Sequence, residues 1–124
     1  MQAADAKVNI LNGEFLSDLE QVADELAAKP GINGALVISG QPGGYIAGAD
    51  ISEIENVTDP EKGAALAAVG QRVFNKWAAL PFPVLDAIHG HCMGGGTEFA
   101  LACHYRLVSE SAVIALPEVK LGII

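Results

Sequence analysis

The chain has 124 residues, 51% of them hydrophobic and 18% charged, which is the make-up of one globular domain and excludes a disordered segment. Seven basic residues against 15 acidic ones give a net charge of −8, so nucleic acid and anionic membrane surfaces are excluded as general partners. No apolar run reaches the ~18 residues of a membrane span, and no signal-peptide pattern is present.

Residues 1–7 show no periodicity and are expected to form a frayed leader. Asn12 can cap a helix over about 13–28, with Phe15, Leu16, Leu19, Val22, Ala23 and Leu26 on one face. Lys29-Pro30-Gly31 stops it. Ala35-Leu36-Val37-Ile38 is short and continuously apolar, which predicts a buried strand. Ser39 to Gly48 reads as a glycine-rich loop, and Asp50 with Glu53 has the spacing of a capping box on a short helical turn. Asp59-Pro60-Glu61 opens a second long helix that should bury Leu66, Val69, Val73, Phe74 and Trp77. Pro81 and Pro83 end it, and the next strand runs to about Ile88. A helix over about 97–104 follows, then strands at Tyr105 to Val108 and Val113 to Leu116. This alternation predicts an α/β fold with a largely parallel sheet, and no internal repeat is legible. The bare apolar ending Leu121-Gly122-Ile123-Ile124 and an equally bare start suggest an internal piece of a longer protein.

Two loops carry the candidate chemistry. One is Tyr45-Ile46-Ala47-Gly48-Ala49-Asp50-Ile51; the other lies in Gly90-His91-Cys92-Met93-Gly94-Gly95-Gly96-Thr97-Glu98. Both follow predicted strands, and in parallel sheets ligands bind at the strands' carboxyl ends. Small residues uncover peptide N–H groups, and the first N–H groups of a helix have no partner within it. One donor from each loop would make an oxyanion hole. Glu98 and Glu118 could handle two protons beside it, although Glu98 equally suits the dipole of the helix it opens. Both glycine loops are also explicable as tight connections, and spacing alone leaves that alternative open. Dinucleotide, phosphate-loop and serine-hydrolase signatures are absent. His89, His91, Cys103 and His104 lack the spacing of four convergent ligands, so no metal is expected. Cys92 and Cys103 sit in apolar company, which favours a reducing interior over a disulfide framework.

Four motifs in order resemble the crotonase (enoyl-CoA hydratase/isomerase) superfamily. They are Ile46-Ala47-Gly48-Ala49-Asp50-Ile51, Ala87-Ile88-His89-Gly90, Gly94 through Cys103, and Leu116-Pro117-Glu118-Val119-Lys120-Leu121-Gly122. The hydratase part of the multifunctional fatty-acid oxidation α-subunit is the nearest flavour. The resemblance implies a crotonase-like ββα superhelix. It also implies that residues 1–124 are a fragment of one such domain, lacking the first hairpin and the C-terminal helices.

Carried over residue by residue, it implies that the N–H groups of Ala49 and Gly95 hold a thioester oxygen. Ala47, Gly48, Ala49, Asp50, Ile51 and Ser52, with Gly94 and Gly95, would bind the acyl-CoA. Glu98 would orient and deprotonate water and Glu118 would protonate C2. The implied activity is syn hydration of a trans-2-enoyl-CoA to 3-hydroxyacyl-CoA in fatty acid β-oxidation. No metal or redox cofactor is implied, since coenzyme A belongs to the substrate. A homo-oligomer, a trimer or part of a multifunctional complex, is implied too, in the bacterial cytoplasm or the mitochondrial matrix. His104 stands where an aspartate is common and Asp86 where a small apolar residue is usual, which puts that strand's packing in doubt. Two alternatives stay open: Δ3-Δ2-enoyl-CoA isomerisation by the same site, and a truncated module that binds acyl-CoA without turnover.

Overall fold

A computed structural model describes residues 1–3 and 7–122, apart from the side chain of Leu121. Helix α1 spans Gly13–Ala28, and the Asn12 side chain accepts from the Phe15 N–H at 2.9 Å, as an N-cap does. Its buried stripe centres on Leu19 and Ala23, rotated away from Val22, which is exposed. Strands β1 (Ala35–Ile38) and β2 (Gly44–Ile46) follow, then helices α2 (Ile51–Glu55) and α3 (Pro60–Ala78). Next come β3 (Val84–Ile88), β4 (His91–Met93), α4 (Gly95–Ala102), β5 (Tyr105–Val108) and β6 (Val113–Ala115). A 3-10 turn over Glu118–Leu121 closes the described chain.

The strands form two three-stranded sheets, ordered β1-β3-β5 and β2-β4-β6, with every pairing parallel. Odd strands stack in one sheet and even strands in the other, so strand, strand, helix repeats along the chain. The single sheet expected from the sequence is therefore two. β2 and β4 fall where loops were expected. Three residues are too short to show a period, and Gly44, which opens β2, must lie within 2.5 Å (measured from where its Cβ would be) of the His91 N. α4 begins two residues earlier than predicted, because glycines have low helix propensity and Gly95 and Gly96 hide the start.

The core lies between the sheets and α1, α3 and α4. Trp77 meets Phe99 edge-on at 5.3 Å and donates its indole N–H to the Leu19 carbonyl at 3.0 Å, joining α3 to α1. Phe74 packs on Phe99 at 5.6 Å. Glu20 and Asp24 of α1 pair with Arg72 and Lys76 of α3 at 2.8–3.1 Å on the surface. Leu66 was expected in this core but is 51% exposed, on the side of α3 that lines a cleft. Asp86, whose strand was in doubt, is wholly enclosed at the centre of β3.

Two further expectations change. β1 is not buried throughout: only Val37 is, and Leu36 and Ile38 are 61% and 52% exposed. Leu36 is in register with Leu85 and then Tyr105, and Ile38 with Ala87 and then Leu107, so one face of this sheet is an apolar surface. The first three residues are not frayed. The Met1 amino group donates to the Ile38 carbonyl at 2.7 Å, and Gly40 N donates to the Met1 carbonyl at 2.8 Å. The rest of the expected leader falls partly on residues 4–6, outside the described residues. No helix among the described residues is long and apolar enough to cross a membrane.

Candidate active site

The first loop leaves β2 at Ile46 and is held from one side by residues 9–11. Ala47 N donates to the Asn9 carbonyl (2.9 Å), Leu11 N to the Gly48 carbonyl (2.8 Å), and Asp50 N to the Leu11 carbonyl (3.1 Å). Asn9 is itself buried, and its side-chain amide donates to the Tyr45 carbonyl at 2.8 Å and the Ser39 hydroxyl at 3.0 Å. Gly48 sits at φ +113°, where a residue with a Cβ is strained. Neighbours 47 and 50 have spent their N–H groups, but the Ala49 N–H has no acceptor among the described residues. The expected capping box does not form. The Asp50 carboxylate takes the Ser52 N–H and hydroxyl at 2.9 and 2.6 Å, and the Asp50 N–H that Glu53 would satisfy already belongs to Leu11. The Ser52 hydroxyl and N–H hold the Asp50 carboxyl below its ordinary value.

The second loop turns out of β4 at Gly94, with φ +50°, straight into α4. Gly94 N donates to the Ala115 carbonyl at 2.9 Å, and the Thr97 hydroxyl shares itself between the Cys92 and Ala115 carbonyls, both at 2.9 Å. Gly96 packs on β2 so tightly that a Cβ there would lie 2.7 Å from Ile46. Gly95, the first residue of α4, keeps its N–H without an acceptor among the described residues, as helix starts do.

Ala49, Gly95 and Glu98 line one cleft of about 500 Å³, together with Asp50 and an apolar wall that includes Ile54, Leu66 and Phe74. Glu98 is exposed, and its Oε2 lies 3.7 Å from where a Gly95 Cβ would be. Glu118 stands on the other side of the turn. Its Oε1 lies 2.6 Å from where a Gly94 Cβ would be, and its Oε2 is buried without a hydrogen-bond partner among the described residues. A Cβ at Gly94 would also come within 3.9 Å of the Gly48 Cα, so the two loops touch beside Glu118. Thus Ala49, Asp50, Gly95 and Glu98 share a cleft. Ala47, Gly48, Ile51, Ser52, Gly94 and Glu118 are outside its lining.

Two of the three histidines serve the backbone. His89 Nε2 meets the Gln41 carbonyl at 2.9 Å, and His104 Nδ1 accepts from the Val84 N–H at 3.2 Å. No group of three His, Cys, Asp or Glu side chains among the described residues could hold a metal ion. Sequence reasoning missed Asn9 and Leu11. Their signal was the brief apolar run at Val8-Asn9-Ile10-Leu11, too short to stand out before a well-capped helix.

Comparison with known proteins bears on the family and the fold. The sequence model of the enoyl-CoA hydratase/isomerase family matches residues 1–124. Among solved structures, an enoyl-CoA hydratase/carnitine racemase from Magnetospirillum magneticum is 27% identical with a TM-score of 0.91, covering 98% of this chain and 46% of its own. An enoyl-CoA hydratase from Bacillus anthracis is 29% identical with a TM-score of 0.85, covering 95% and 45%. DspI of Pseudomonas aeruginosa is 28% identical with a TM-score of 0.89, covering 99% and 47%. The chain therefore spans about half the length of these structures. With strands alternating between two parallel sheets, a glycine turn opening α4 and a family match over residues 1–124, the chain belongs to the enoyl-CoA hydratase/isomerase (crotonase) family.

Proposed function

We propose that this site activates an acyl-CoA thioester and adds water to it, converting a trans-2-enoyl-CoA to the 3-hydroxyacyl-CoA, as in fatty acid β-oxidation. The observation that carries the reading is the pair of unengaged N–H groups, Ala49 and Gly95, on one cleft with a carboxylate, Glu98. The thioester oxygen sits between the two N–H groups. As water attacks C3, negative charge moves onto that oxygen, and the two donors stabilise it more in the transition state than in the ground state. Losing one such donor typically costs ~3 kcal/mol of transition-state stabilisation.

Glu98 faces the cleft and takes the proton from water. Glu118, packed against Gly94 with one oxygen unpaired, gives a proton to C2. The segment from Ala47 to Ser52 runs past the mouth and carries the coenzyme A moiety, and the apolar wall from α2 and α3 takes the acyl chain. The chemistry asks for no metal or redox group. The working protein is a homo-oligomer or part of a larger complex, in which further chain completes the domain.

Incubating the protein with crotonyl-CoA tests the reading. Hydration bleaches the ultraviolet absorbance of the conjugated thioester. Unchanged absorbance with a 3-enoyl-CoA converted to the 2-enoyl form would leave isomerisation instead, and binding without any turnover would leave a non-catalytic module.

A further inference from the structure

Tyr45 and Asp86 are polar side chains at the centre of the core, and the reaction proposed above uses neither. Both are fully enclosed, at 0% exposure. Asp86 is the middle residue of β3, the central strand of its sheet, in register with Val37 on one side and Arg106 on the other. Tyr45 is the middle residue of β2, an edge strand of the other sheet. The phenol and the carboxylate face each other closely enough that each shifts the other's protonation. Among the described residues, neither the Tyr45 hydroxyl nor either Asp86 oxygen has a hydrogen-bond partner.

The remaining titratable groups that face the pair are Cys92 of β4, Cys103 at the end of α4 and Arg106 of β5. Arg106 donates Nη1 to the Ala100 and Cys103 carbonyls at 3.1 and 2.8 Å, so that nitrogen is committed away from Asp86. Burial pushes both thiols up, Cys103 to about 12, so neither carries charge near neutral pH. A bare carboxylate in this place loses its hydration and gains only the smaller help of the Tyr45 hydroxyl and the Arg106 charge. A proton removes the difficulty, because a neutral carboxyl and a phenol can each donate and accept.

The two strands that bear the pair lead to the two turns of the site. β2 runs into Ala47–Ala49, and β3 runs through Gly90 and β4 into Gly94 and Gly95. We propose that Asp86 and Tyr45 are a proton-sharing positioning pair that fixes the two amide-bearing turns relative to one another, and that loss of the shared proton loosens this joint. Its importance for turnover rests on the hydratase reading, whereas its titration does not.

Burial raises the Asp86 carboxyl to about 6, against smaller opposing effects of the Tyr45 hydroxyl and the Arg106 charge. Between pH 3.8 and about 6 the native state therefore holds a proton that the unfolded state has released. The stability it brings is complete below the unfolded value of 3.8 and is lost as pH rises through about 6.

The test is a carbon-13 titration of the Asp86 carboxyl in the unaltered protein, with the Ala49 and Gly95 amide shifts followed alongside. We expect an Asp86 midpoint of about 6 and amide movement with the same midpoint. In Asp86→Asn that movement disappears. The unfolding equilibrium constant of the unaltered protein, relative to Asp86→Asn, should rise about 100-fold between roughly pH 3.5 and pH 8. An Asp86 midpoint at the ordinary 3.8, or amides that still titrate in Asp86→Asn, would overturn the proposal. If Asp86→Asn does not fold, Tyr45→Phe decides: the Asp86 midpoint should rise further, and an unchanged midpoint would refute the pairing. Failure of crotonyl-CoA hydration with these titrations intact would remove the hydratase reading and leave the pair.

Discussion

Glu98 and Glu118 differ in what surrounds them, and the proposed reaction gives them different parts. Glu98 is open to the cleft, while Glu118 is half-buried against Gly94 with one oxygen unpaired among the described residues. Glu98→Gln and Glu118→Gln should each slow hydration by ~100-fold or more with the fold intact by circular dichroism, the usual scale for a positioned proton-transfer group. Near-full turnover in either variant would remove that residue from the chemistry. Glu98 was legible because it follows three glycines at the start of an apolar helix, and Glu118 because it is a charge among Leu116, Val119 and Leu121. Their separation around the turn was not, because sequence distance between residues 98 and 118 says nothing of the side from which each approaches Gly94. Asp86 was legible only as an anomaly. That a carboxylate would be enclosed opposite Tyr45 depends on β2 and β3 belonging to different sheets, a tertiary fact.

At the scale of elements, the caps and stops were readable and the short strands were not. Asn12, Asp59-Pro60 and Pro81 mark helix ends by local chemistry, and α1 and α3 follow them. β2, β4 and the 9–11 segment are each three residues long and owe their existence to neighbours. Asn9 shows what that dependence is worth. Asn9→Leu removes donors to the Tyr45 carbonyl and the Ser39 hydroxyl in a buried setting, and should destabilise the protein by about 1–3 kcal/mol in urea denaturation. It should also speed hydrogen exchange at Ala47 and Asp50, whereas exchange as slow as in the unaltered protein would show that the strap holds without it. The α1–α3 ion pairs predict a pH effect of the opposite sign to Asp86. Hydrogen bonds from Arg72 and Lys76 lower Glu20 from 4.5 to about 2, so its contribution is present above 4.5 and lost as pH falls through about 2. Glu20 is half-buried at the surface and its partners face solvent, so the effect is small and screened. Glu20→Gln should lose less stability than the unaltered protein over that window in low salt, with the gap closing in about 1 M salt.

The whole molecule repeats one unit, strand, strand, helix, without repeating residues. Ile38, Ile88 and Val108 end successive strands of one sheet, yet the segments that follow share only small size, and so no repeat is visible in the sequence. The same architecture leaves Leu36, Ile38, Tyr105 and Leu107 on an uncovered sheet face. Apolar surface of that extent drives association. Sedimentation of the 124-residue chain should therefore show concentration-dependent self-association that Leu36→Lys with Leu107→Glu reduces, and a clean monomer at high concentration would contradict this. The proposed reaction hangs on how two turns from different repeats meet. The most direct measurement is an amide NMR titration with butyryl-CoA, a saturated thioester that cannot be hydrated. The Ala49 and Gly95 N–H resonances should move furthest and downfield, as donors closing on one carbonyl oxygen do. Binding that leaves both resonances in place would contradict the oxyanion assignment and with it the proposed reaction.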